Sequence, residues 1–419
     1  MGKPKIRFEG YSEDWEQRKL GECLSEITYG FTNPMSDTED GPWKITAKDI
    51  LDGMINYSSA RHTSQIEYDN LTNKSKPLLG DLLLTKDGTL GRTAIVDTEN
   101  VCINQSVALL RFNEKCSVQY AKTLLDTPMY QKQMLDDAGG GTIKHIYITK
   151  VDKMFISVPC MKEQERLVLF FYNLDNLITL HQRKYDETKT LKKYMLQKMF
   201  PQNGEKVLEI RFDGFTEDWE QRKLGDILIS LQNNTLSRAD LSHEAGVAKN
   251  VHYGDVLIKF GEVLDVSKEK LPMISDEIVL SKYKASFLKN GDVIVADTAE
   301  DSTVGKCSEI AGLNDEVVLS GLHTIPYRPI EKFASGYLGY YLNSSAYHNQ
   351  LIPLMQGIKV TSISKSAMQD TDIVYPKFVE EQRKIGDYFQ LLDRLITLHQ
   401  RKCNELKEIK KYMLQNMFV

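Results

Sequence analysis

No stretch of eighteen apolar residues occurs anywhere in the 419 positions, so the sequence offers no candidate membrane-spanning helix. The opening MGKPKIRFEG lacks the apolar core of a secretory leader, and the expected compartment is the cytoplasm. The six cysteines, Cys23, Cys102, Cys116, Cys160, Cys307 and Cys403, form no CxxC pair. Neither the spacing of a zinc site nor a disulfide framework is present, and plain reduced thiols are expected. A phosphate-cradling GxxxxGK[ST] is missing as well; GTLGRT from Gly88 and GGGTIK from Gly139 fail its spacing, which removes the signature of ATP hydrolysis. An Asn/Asp-Pro-Pro-aromatic step, expected of an adenine amino-methyltransferase, is approached only by TNPM at Thr32. Nor is there an excess of positive charge: 53 Lys and Arg face 58 Asp and Glu, for a net charge of −5. A polyanionic partner would have to be held by local rather than global charge.

What the sequence does have is repetition. IRFEGYSEDWEQRKLGECL from Ile6 returns as IRFDGFTEDWEQRKLGDIL from Ile210, with fourteen identities in nineteen positions. LITLHQRK from Leu177 returns from Leu395, and KKYMLQKMF from Lys192 returns as KKYMLQNMF from Lys410. Each half is therefore a constant opening, a variable body and a constant closing segment. The closing segment from about Glu163 to Phe200 contains no proline and places Leu167, Phe170, Leu174, Leu177, Ile178, His181, Tyr185, Leu191, Met195 and Met199 near a 3-4 spacing. This predicts a long amphipathic helix, and its twin from about Glu381 to Phe418 repeats the pattern. Each spans about 55 Å, and two such stripes are best buried against each other. Breakers in PQNGEKVLE end the first helix, so the C-terminus is expected where an equivalent linker would lead back to Met1. His181 and His399 occupy matching seam positions, where a polar residue fixes register more readily than it binds metal; no metal site is expected.

The bodies, roughly Ser25–Val158 and Ser230–Tyr375, read as mixed α/β, with short apolar runs punctuated by glycine. A Gly-Asp step recurs (Gly80-Asp81, Gly291-Asp292) before an apolar strand, and ITAKDILDGMI from Ile45 matches VHYGDVLIKFGEV from Val251. Late in each body comes a glycine-bearing turn with a lysine, GGGTIKHIYITK from Gly139 and GIKVTSISK from Gly357. Such turns suit close approach to phosphates and base edges; on the residues alone they read first as surface loops before a strand. The acidic pairs Glu13-Asp14 and Glu217-Asp218 read as polar loop rather than catalytic pairs.

The duplicated DWEQRKLG openings, the bodies with a Gly-Asp step, and the EQ-initiated helices after a proline (Pro159 with Glu163-Gln164, Pro376 with Glu381-Gln382) resemble the specificity subunit of bacterial type I restriction-modification systems. The resemblance spans essentially the whole chain. It implies two α/β target recognition domains, residues 1–160 and 201–376 (with a linker at 201–209), joined by two long repeated helices, 161–200 and 377–419. The helices would pack as an antiparallel coiled coil in a pseudo-two-fold, circular arrangement. It further implies a non-catalytic chain that binds double-stranded DNA at a bipartite sequence. Two modification subunits would supply S-adenosylmethionine chemistry and two restriction subunits the ATP and Mg2+ chemistry, with no cofactor in this chain. The rival expectation is a coiled-coil scaffold with tandem protein-binding domains and no DNA.

Under that resemblance the reading residues belong to polar loops that differ between the bodies. In the first these are Thr46, Lys48, Lys86, Thr89, Arg92, Thr142, Lys144 and His145; in the second, His252, Tyr253, Lys306, Lys359, Thr361 and Ser362. The doubled surfaces offered to two identical partners would include Trp15, Arg18, Lys19, Trp219, Arg222 and Lys223, together with Lys192, Lys193, Lys410 and Lys411. Trp15 and Trp219 also read as hydrophobic anchors, and the lysines as solvated helix ends.

Overall fold

The computed structural model describes residues 3–140, 144–202 and 208–419. The two long helices run from Met161 to Lys198 and from Val379 to Asn416, 38 residues each and about 57 Å long. The expected apolar stripe is less continuous than its spacing implies. In the first helix Leu167, Phe171 and Leu174 are buried, whereas Leu177 and Leu191 are more than 40% exposed. Burial follows the ends of the helix that pack on sheet cores, not the full repeat. The second helix buries Ile385, Phe389, Leu392 and Cys403.

The chain divides into two compact units, Met1–Gln182 with Arg401–Val419, and Arg183–Gln400. The division falls inside the long helices rather than at their starts, because the helix ends belong to the cores beside them. In the first unit Leu167, Phe171, Leu174, Met417 and Phe418 share one core with Leu82, Leu84, Ala108 and Leu110. In the second, Phe200, Ile385 and Phe389 share one with Val293, Val295 and Tyr327.

Both units are built on one plan. The first has a four-stranded sheet in the order Leu24–Tyr29, Val107–Phe112, Leu82–Thr85, Thr93–Ile95; the second orders Leu228–Ser230, Thr324–Pro329, Val293–Ala296 and Cys307–Ala311 the same way, then adds Val263–Asp265. The central strands LLLT and VIVA are buried on both faces. Period-two alternation sends Leu82 and Leu84 to the core against the long helix and Leu83 to a second core; Val293 and Val295 part from Ile294 and Ala296 in the same way. A small mixed sheet covers the far face of each, with Trp43–Ile45 parallel to Val101–Ile103 and Lys249–Val251 parallel to Val318–Ser320.

The repeated phrases lock these parts together. EQRK at Glu16–Lys19 pairs antiparallel with Phe155–Val158, and EQRK at Glu220–Lys223 with Asp372–Tyr375. The buried Glu163 carboxylate accepts two bonds from Arg7 at 2.8 and 2.9 Å and one from Trp15 Nε1 at 3.2 Å. Glu381 does the same with Arg211 at 2.7 and 2.9 Å and Trp219 at 3.2 Å. The Gly-Asp step is a second lock. Gly80 and Gly291 have φ of +87° and +89°, conformations suited to glycine. The following Asp81 and Asp292 each accept two guanidinium bonds, from Arg111 and Arg328.

The end of the second helix meets the first opening phrase as the first helix meets the second. Ile6 N–H donates to the Asn416 carbonyl at 3.0 Å, and Ile210 N–H to the Lys198 carbonyl at 3.1 Å. Phe418 packs on Trp15 and Phe200 on Trp219.

Removing one partner of a buried ion pair leaves the other without compensation, at about 3–5 kcal/mol. Glu163→Ala should therefore destabilise the first unit by about that amount, read as a shifted first transition in urea unfolding of the full chain. A loss under about 1 kcal/mol would show that the lock is dispensable.

Candidate nucleic-acid interface

The strongest feature of the two units is a face on which one backbone scheme carries two different sets of side chains. Thr46 and His252 each follow the strand of the small sheet and cap the short helix after it. Thr46 Oγ1 donates to Asp49 Oδ2 at 2.7 Å, and Asp49 in turn accepts the Thr46 backbone N–H. His252 Nδ1 accepts the Gly254 N–H at 3.2 Å. The loop after the central strand is held identically in both: Lys86 N–H donates to the Ser106 carbonyl and Asp297 N–H to the His323 carbonyl, while Ile146 and Ile363 N–H donate back to Lys86 and Asp297. Lys86 thus corresponds to Asp297, Ser106 to His323, and Arg92 to Lys306.

In the first unit these loops bring together Thr46, Lys48, Lys86, Thr89, Arg92 and His145. Asp87 joins two of them, accepting Lys86 Nζ at 2.6 Å and facing His145 Nδ1 at 2.6 Å. Thr89 Oγ1 donates to the Ala47 carbonyl and Arg92 Nη1 to the Ile50 carbonyl. Lys48 and Lys144 are exposed, and Thr142 lies outside the described residues.

In the second unit His252, Tyr253, Thr361 and Ser362 converge. The Tyr253 ring lies 4.6 Å from that of His252 and 5.3 Å, edge-on, from His323. Thr361 and Ser362 pair with Ala299 and Thr298. Beside them opens a cleft of about 480 Å³ lined by Gln232, Asn233, Asp297, Pro326, Ser364 and Lys365, among others. Asp87, Ser106, Asp297 and His323 were not expected from the sequence. They stand on unrepeated loops, and their only signal was their place beside the Gly-Asp strand and its partner.

Several expectations need correction. Lys306 is not a free loop cation: its Nζ donates to the Leu257 carbonyl at 2.8 Å, and burial lowers its pKa. The two turn lysines, which the sequence did not align, occupy different stations. Gly139 pairs with His145 as Gln356 pairs with Ser362, which aligns Lys144 with Thr361 and not with Lys359. Trp15 and Trp219 are 3% and 2% exposed, which fits their reading as anchors of the opening phrases and removes them from the surfaces offered to a partner. Lys192 is also internal. Its Nζ reaches both Glu262 oxygens at 2.9 Å and Asp393 at 2.6 Å, and Tyr340 donates to the same Asp393, whose pKa burial raises. Its counterpart Lys410 bonds Asp175 at 2.6 Å. Lys19, Lys193, Lys223 and Lys411 are exposed, and Arg18 and Arg222 are half-buried beside Glu16 and Glu331. Among the described residues no group of three or more His, Cys, Asp or Glu could hold a metal ion, and no helix is long and apolar enough to cross a membrane.

The model of the type I restriction modification DNA specificity domain matches residues 12–190 and again 216–408. The chain belongs to that family. The type I restriction enzyme MjaVIII specificity subunit of Methanocaldococcus jannaschii is 23% identical over 413 residues, covering 96% of this chain and 91% of that protein. The putative specificity subunit S.HindORF215P of Haemophilus influenzae is 35% identical over 111 residues, 25% of this chain and 27% of the other. Among solved structures, the S subunit of a type I restriction-modification system from M. genitalium has a TM-score of 0.58 at 14% identity, covering 100% of this chain and 99% of that one. The HsdS subunit from Thermoanaerobacter tengcongensis has a TM-score of 0.50 at 16% identity, with 98% of each chain covered. The two matched segments of this specificity-family chain each contain one copy of the face described above.

Burial lowers the His252 pKa, with Arg238 and His323 adding to the effect and Asp255 opposing it. The unfolded chain takes up a proton near pH 6.5 that the folded ring refuses, so this residue withdraws stability as pH falls below that value. Urea midpoints of the second transition should drop between pH 8 and pH 5.5, and His252→Asn, which keeps a capping side chain, should flatten the drop. An unchanged slope in the variant would remove His252 as its source.

Proposed function

We propose that this chain is the sequence-specific DNA-binding subunit of a type I restriction-modification complex, each body reading one half of a bipartite site. The observation that carries the reading is the pairing of identical backbone bonds with different face residues: Thr46 against His252, Lys86 against Asp297, Ser106 against His323. Half-sites of unlike sequence need unlike donors and acceptors, while a common mount presents both in the same way. A negative net charge is compatible, because phosphate contacts position the protein while base-edge contacts specify the sequence.

On this reading the long helices pair as an antiparallel coiled coil in a pseudo-two-fold arrangement, and their length sets the unspecified gap between the half-sites. Two modification subunits dock on the duplicated surfaces that remain exposed, Lys19 with Lys223 and Lys193 with Lys411, and restriction subunits join through them. S-adenosylmethionine, ATP and Mg2+ belong to those partners, the complex works in the cytoplasm, and this chain performs no chemistry of its own.

Methylated adenines mapped in cells expressing the chain with its modification partner should reveal two short specified blocks around an unspecified gap, absent with the partner alone. An assembled complex that creates no new motif overturns the proposal. Four residues inserted after Leu180 and after Leu398 should change the gap and leave the blocks intact; an unaltered gap would show that the helices do not set it. Lys144→Ala should relax one position of one half-site, by about 1–3 kcal/mol of discrimination, if Lys144 reads a base; uniform weakening marks a phosphate contact.

A further inference from the structure

The second unit ends its reading face in a hairpin whose tip is apolar and fully projected. Ile358 is 102% exposed relative to an extended reference and Val360 55% exposed, with exposed Lys359 between them. Turn tips ordinarily carry Gly, Asn, Asp, Ser or Pro, whereas isoleucine and valine belong in sheet interiors. The base of the hairpin is held firmly. Gln356 and Ser362 exchange two backbone bonds of 2.9 and 2.8 Å, and Ile363 N–H donates to the Asp297 carbonyl at 2.9 Å. Gly357 makes the bend at φ +118°, where a Cβ would collide with the Val360 carbonyl. In the sequence of the first body, Gly140, which corresponds to Gly357, is followed by glycine instead of isoleucine.

We propose that Ile358 is an apolar wedge that enters double-stranded DNA at the half-site read by the second body, with Lys359 meeting the adjacent phosphates. The inference rests on the proposed DNA-binding function and deepens it. Continuity argues for DNA as the occupant: the hairpin arm carrying Ser362 pairs with Thr298, whose hydroxyl also lies 3.5 Å from His323, so the wedge projects from the candidate reading face itself. An apolar side chain flanked by a cation is the combination used to unstack and kink a base step. Flexible pyrimidine–purine steps deform most easily, so one is expected in that half-site.

The test uses the full chain assembled with its modification partner and the mapped target duplex, end-labelled for energy transfer. Ile358→Ala should weaken binding about tenfold, remove the bend and leave the salt dependence unchanged. Ile358→Leu should bind within about twofold of the parent, and Lys359→Ala should lower the salt slope by about 0.9. Ile358 is fully exposed, so the alanine variant keeps its fold. Parental affinity and bending in Ile358→Ala would overturn the wedge while leaving the DNA-binding function intact. Loss of assembly with the modification subunit, with DNA untouched, would reassign the tip to a protein contact. A parent complex that assembles and binds no DNA would overturn both.

Discussion

Everything in this chain depends on a buried carboxylate at the start of each long helix. Glu163 and Glu381 are each 1% exposed, and each is answered by a guanidinium fork and an indole N–H from the opening phrase. A buried ion pair of this kind is a device of specificity more than of net stability, since desolvation offsets most of the Coulombic gain. It admits one docking of the opening phrase on the helix. The neighbouring glutamines make the same choice: Gln164 donates to the Pro159 carbonyl and accepts the Ser117 N–H, and Gln382 donates to the Pro376 carbonyl and accepts the Ala334 N–H.

With the mount fixed twice, the bodies are free to diverge. The Gly-Asp turn and its arginine hold the central strand in place, and the loops that leave its far end need satisfy only a few backbone bonds. That is why one copy can carry lysine and the other aspartate at the same station without disturbing the sheets. At these stations the divergence is chemical, in the side chains and not in the backbone bonds that hold them. The second unit carries the divergence further, with an added edge strand at Val263–Asp265 and an apolar hairpin tip.

Much of the mount was legible in the sequence because its signals are local. The helix bounds followed from the proline-free stretches and the 3-4 spacing. The Gly-Asp turn followed from its recurrence, and the match of Ile45 to Val251 survives as equivalent strand registers against Val101–Ile103 and Val318–Ser320. The candidate face was legible only in part. Thr46, Lys86 and His145 lie on one face of the first unit, and His252 and Tyr253 on the matching face of the second, but Asp87 and His323, which contact some of them, lay on loops without a repeat to betray them. The lysines were the least readable, because a lysine next to a helix end looks the same whether it faces solvent, as Lys193 does, or a carboxylate pair, as Lys192 does.

The sequence by itself determined that there are two copies of one mount, where their helices run and which segments vary, because duplication and periodicity are properties of the string. Only the tertiary structure decided that Trp15 and Trp219 are anchors, that Lys306 and Lys192 are tied inward, and that Lys144 aligns with Thr361 rather than Lys359. Those outcomes turn on which distant groups a side chain meets, and a hydrogen bond between residues 148 positions apart, such as Trp15 to Glu163, leaves no trace in either neighbourhood until the chain is folded.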